Sequence, residues 1–168
     1  MSLYTLAGSL LSDNITFTYG NYGGLNYSAG QIGGRTPYNI DPNIPGQAPV
    51  DFLDALFYQH DFVYQAYQDG FVSEDTLPGA DINLIEEMIG LATTDPQFFE
   101  SNPDAGLYAG VATVALVGNL ATEGYLGSTS PSDLAIFMDD TLAKFDFGAA
   151  ILSSEAQSLF SSEAQSLF

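Results

Sequence analysis

The chain has 168 residues, 46% of them apolar and 13% aromatic, which is enough for one ordinary domain around a single core. Only Arg35 and Lys144 oppose 21 carboxylates; the resulting net charge of −19 argues against nucleic acid and anionic membrane surfaces and favours divalent cations held by oxygen ligands. Cysteine is absent, so disulfides, thiolate chemistry and cysteine-based zinc sites are excluded.

Leu3, Leu6 and Leu10 recur on a helical spacing and predict a short N-terminal helix over 3–11, ended by Ser12-Asp13-Asn14. This N-terminus has no basic region ahead of its short apolar run, so a cleaved signal peptide is not expected. Residues 15–19, ITFTY, predict a short strand or an extended lead-in. Residues 20–46 then read as a loop, with Pro37, Pro42 and Pro45 and the pairs Gly23-Gly24 and Gly33-Gly34. So long a loop is uncommon unless it is functional or disordered, and glycines let a backbone turn its carbonyls inward around an ion.

Pro49 is placed to open a helix that carries Phe52, Leu53, Leu56, Phe57, Val63 and Tyr64 as its buried stripe and ends at Gly70. After a connection over 71–80, Ile82, Leu84, Ile85, Met88, Ile89 and Leu91 predict a helix over about 81–93. Pro96 and Pro103 bracket a predicted loop. The uncharged run Ala105 to Thr122 is too rich in Gly, Ala and Thr for a good membrane span and predicts a buried core helix. Ser130-Pro131-Ser132-Asp133 is an N-cap, a first-turn proline and an early acid, opening a helix over about 131–145. The chain closes on SSEAQSLF twice over, at 153–160 and 161–168; two copies are too few for a solenoid. The expected organisation is a mainly α single domain over 1–152 with a tail over 153–168.

Chemistry concentrates in 49–67, PVDFLDALFYQHDFVYQAY, which holds the only histidine, His60, next to Asp61. On a helix Phe57, His60 and Tyr64 share a face, and Asp61 lies about 100° round from His60. An imidazole and a carboxylate so placed can serve one cleft without pairing with each other, one as a base for water and the other as a cation ligand. There is no EF-hand loop and no G-x-S-x-G nucleophile elbow.

With the upstream run Tyr19-Gly20-Asn21-Tyr22-Gly23-Gly24-Leu25-Asn26, these residues resemble the secreted, histidine-dependent phospholipase A2 family. YGNYGGLN resembles its calcium loop, and PVDFLD with HDFVY resembles its active-site helix. The absence of cysteine, with Leu56, Phe57 and Val63 where secreted animal members carry it, resembles the viral-capsid branch. The resemblance covers 19–26 and 49–67. It implies a glycine-rich calcium loop followed by an active-site helix packed on further helices.

The same resemblance implies roles. His60 would be the general base, and Asp61 would give its carboxylate to Ca²⁺ with the main-chain carbonyls of Tyr22, Gly24 and Asn26. The Gly24 N–H would help to stabilise an oxyanion. Asp81 would orient His60 and accept a hydrogen bond from Tyr64, or else would simply cap its own helix. Tyr27-Ser28-Ala29-Gly30 could supply loop ligands in place of the first register. The activity implied is calcium-dependent hydrolysis of the sn-2 ester of phospholipids, with an inactive calcium-binding module as the alternative. The implied partner is a zwitterionic phospholipid surface, met through residues 3–17, by a secreted or particle-associated protein.

Overall fold

The structure is a computed structural model that describes residues 18–24, 26–127 and 129–146. The predicted helix over 3–11, the proposed lipid-facing residues before Thr18 and the tail over 153–168 lie outside the described residues. Within them the chain is mainly helical.

The stretch read as a loop begins with two small antiparallel hairpins. β1 (Thr18–Tyr19) pairs with β2 (Gly23–Gly24), and β3 (Tyr27–Ser28) pairs with β4 (Gln31–Ile32), in the registers Thr18↔Gly24 and Tyr27↔Ile32. Two-residue ladders leave no hydrophobic alternation to read, which is why the sequence shows only glycine punctuation there. Residues 33–51 then run irregularly to α1 (Phe52–Gln68).

Pro49 does not open this helix. Asp51 is its N-cap, and the Asp51 carboxylate accepts from the Asp54 N–H at 2.9 Å. At the other end Gly70, at φ +77, lets Phe71 N–H reach the Ala66 carbonyl at 2.8 Å, a left-handed helix stop.

A 3₁₀ turn, Glu74–Thr76, leads into α2 (Leu77–Thr94). This helix starts four residues ahead of the predicted 81, because Pro78 fits a first helical turn as readily as it fits a loop. Asp81 is therefore inside the helix and buried, and is not its cap. The stretch between Pro96 and Pro103 is also helical: α3 spans Pro96–Ser101 and is followed at once by α4 (Pro103–Thr122). Each proline sits in a first turn, where its missing N–H costs nothing. α5 spans Pro131–Lys144, with the Ser130 hydroxyl accepting from the Asp133 N–H at 3.2 Å.

α2 is the central element and packs on α1, α3, α4 and α5. Its inner face carries Leu84, Ile85 and Met88, which meet Leu53 and Phe57 of α1 and Leu107, Val114 and Leu120 of α4 in one core. Burying each such side chain stabilises the fold by about 1.5–3 kcal/mol. Among the described residues α4 is the one helix long and apolar enough to cross a membrane, and 61% of its apolar window is buried within the protein. Its apolar face is matched to the core by side chains such as Leu107, Val111 and Val117.

Candidate active site

Packing α1 on α2 brings His60 against Asp81, 21 positions away. The His60 Nε2 lies 2.8 Å from Asp81 Oδ1, and the Tyr64 hydroxyl donates to the same oxygen at 2.8 Å. An ionised carboxylate only accepts, so Nε2 carries the hydrogen and the neutral ring leaves Nδ1 free as an acceptor. Tyr64 also tilts against the imidazole, with ring centroids 4.6 Å apart. The ring is thus held at one nitrogen and along one face.

Nδ1 lies 3.7 Å from Asp61 Oδ1, where the carboxylate acts on it through charge and not through a hydrogen bond. Burial disfavours a charge on His60, but the Asp61 and Asp81 carboxylates outweigh it and hold the imidazole pKa above its ordinary value. Burial pushes the Asp61 carboxyl above the usual carboxylate range, even though His60 and Ser28 favour its charge. The Ser28 hydroxyl donates to Asp61 Oδ2 and lies 3.1 Å from the Thr36 hydroxyl.

These groups line one cleft of about 290 Å³. Its first wall is a polar stripe of α1, with His60, Asp61, Tyr64, Gln65 and Gln68. Facing it is a stripe of α4 made of Tyr108, Ala112, Ala115, Leu116 and Asn119, with Leu84 between the two helices. The hairpins close one end with Tyr22, Gly24, Asn26, Tyr27 and Ser28, joined by Gly34 and Thr36. Tyr108 fixes the junction: its ring stands edge-on to Phe57 at 4.9 Å and stacks on Tyr19 at 5.7 Å.

The residues of the first loop register and of the His60 pair therefore meet, whereas of the alternative loop stretch only Tyr27 and Ser28, and not Ala29 or Gly30, line the cleft. His60, Asp61, Tyr64, Tyr22, Gly24 and Asn26 line the cleft, and Asp81 touches His60 from behind. Asn26 adopts φ +55, the left-handed conformation for which asparagine substitutes best for glycine. Its carbonyl already accepts from the Gly33 N–H at 2.6 Å and has a second lone pair. Among the described residues no three His, Asp or Glu side chains converge on a metal position. An ion here would draw on main-chain oxygens, one carboxylate and the Ser28 hydroxyl, all hard donors of the kind Ca²⁺ takes.

Three contributors were not legible. Thr36 reaches the cleft only because the second hairpin reverses the chain, and Tyr108 only because α4 packs there. Asp54 lies on the helix that displays the site but does not line the cleft. It is fully buried, and its carboxylate accepts the N–H groups of Asn21, Tyr22 and Val50 at 2.8–3.0 Å. The P-x-D-x-x-D spacing marked it without revealing that its partners are backbone amides.

Compared with models of known protein families, with curated proteins and with solved structures, the chain gives no match.

Proposed function

We propose that this protein is a calcium-dependent phospholipase A2-like hydrolase that cleaves the sn-2 ester of phospholipids with a water activated by His60. The observation that supports this most is the relay Tyr64–Asp81–His60, which ends on an imidazole nitrogen in the same cleft as Asp61 and the glycine-rich hairpins. An inactive calcium-binding module would have no need for a carboxylate behind His60, and Asp81 stands there at 2.8 Å.

In this reading Asp81 fixes the tautomer, and the His60 Nδ1 takes a proton from water as that water attacks the ester carbonyl. His60 then returns the proton to the leaving alcohol, so no covalent intermediate forms on the protein. The Gly24 N–H is the main-chain donor for the oxyanion. Calcium, held by Asp61 and the carbonyls of Tyr22, Gly24 and Asn26, would supply positive charge beside that oxyanion. The acyl chain would lie along Ala112, Ala115 and Leu116. A zwitterionic lipid surface suits a net charge of −19 better than an anionic one, and we place the protein outside the cell or on a particle.

The test is fatty-acid release from phosphatidylcholine vesicles in calcium and in excess chelator. Release in calcium that disappears with chelator is expected; equal release, or none in either, would sink the reading. The acyl wall makes a separate prediction. Ala115→Phe should lower kcat/KM on long-chain phosphatidylcholine by about tenfold or more, a scale set by what pocket volume is worth in hydrophobic sites. Turnover of a soluble short-chain ester should stay near native, and equal losses on both would place the acyl chain elsewhere.

A further inference from the structure

Asp54 has no solvent exposure, and among the described residues it enters no ion pair. A buried carboxylate is costly unless hydrogen bonds compensate for lost water. Here three backbone N–H groups do so: Asn21 reaches both oxygens at 3.0 and 2.9 Å, Tyr22 reaches Oδ1 at 2.8 Å, and Val50 reaches Oδ2 at 2.9 Å. Two of these amides belong to the turn between β1 and β2, and the third to the segment entering α1.

The consequence spreads through the planar peptide unit. N–H and C=O point opposite ways across a trans peptide, so directing the Tyr22 N–H at Asp54 directs the Asn21 carbonyl away from it. That carbonyl accepts the Gly30 N–H at 2.8 Å, in the turn of the second hairpin. The Asn21 side chain meanwhile donates to the Ala48 carbonyl at 2.7 Å. One side chain on α1 therefore sets the first hairpin directly and the second through it. Gly20 makes the close approach possible: at φ +56, any Cβ there would sit 2.3 Å from the Asp54 carboxyl carbon.

We propose that Asp54 is a positioning residue for cation binding, aiming the carbonyls of Tyr22, Gly24 and Asn26 at the ion held by Asp61 while never touching it. This rests on the calcium reading above and assigns to Asp54 the preorganisation that reading requires. Supporting groups behind metal ligands characteristically change affinity by about 10–100-fold when removed.

The experiment is calorimetric titration of the full chain with CaCl₂, alongside phosphatidylcholine turnover as a function of calcium. Asp54→Asn should weaken calcium binding by about 10–100-fold, and the calcium concentration needed for half-maximal turnover should rise by the same factor. Gly20→Ala strains the same contact from the loop side and should shift calcium affinity in the same direction. It decides the matter alone if Asp54→Asn does not fold. Native-like calcium affinity in the folded variants, with only a lower Tm, would overturn the proposal and leave the calcium reading intact. Native protein that takes up no calcium would overturn both.

Discussion

Replacing His60 with glutamine should lower calcium-dependent fatty-acid release by about 10²–10⁴-fold, the usual worth of a positioned general base. Glutamine keeps a donor that can reach Asp81 but has no lone pair of comparable basicity to offer water at Nδ1. The His60 side chain is only 14% exposed, so the variant must also be shown to fold. A circular-dichroism melt near the native one, with calcium affinity kept, separates loss of the base from loss of structure. A variant with native release would remove His60 from the chemistry and would leave the cleft without an imidazole base, since it is the only histidine in the chain.

Asp61→Asn should produce a different failure. Among the described residues Asp61 is the one carboxylate lining the cleft, and ligand charge is a principal determinant of Ca²⁺ affinity. Calcium binding should weaken by about a hundredfold or more, and release at ordinary calcium concentrations should vanish with it. Stability should respond in the opposite sense. Burial holds the Asp61 carboxyl above its usual range, so its ionised form is a burden on the ion-free fold. A neutral, nearly isosteric amide removes that burden, and Tm in chelator should stay level or rise. Calcium that stabilises native protein should leave the variant almost unmoved, by linkage. If both proteins gain the same Tm from calcium, the ion binds somewhere other than Asp61.

The two substitutions separate roles that lie on adjacent residues. His60→Gln should keep calcium binding and lose turnover; Asp61→Asn should lose both. One helix can display both because neighbouring residues diverge by about 100°, so one ring faces Asp81 while the next side chain faces the hairpins.

The sequence by itself determined the helical character of the chain, the order of its principal helices and the adjacency of His60 and Asp61. Apolar residues at three- and four-residue spacing are a local property, and so are the Ser130-Pro131 start and the Gly70 stop. Short elements escaped that reading. α3 has six residues, too few to show a period, and its boundary prolines read equally as loop. The two hairpins have two-residue ladders and no alternation.

Only the tertiary structure decided what surrounds the histidine. Asp81 could have capped its own helix as far as spacing goes; the earlier start of α2 buries it one turn inside, where packing against α1 brings it to the imidazole. Thr36 and Tyr108 enter the cleft through chain reversal and helix packing, which leave no periodic trace. Asp54 shows the limit most clearly. Its spacing on α1 is visible in the sequence, but its partners are main-chain amides more than 25 residues away, for Asn21 and Tyr22, and a backbone N–H carries no residue identity for a sequence to display.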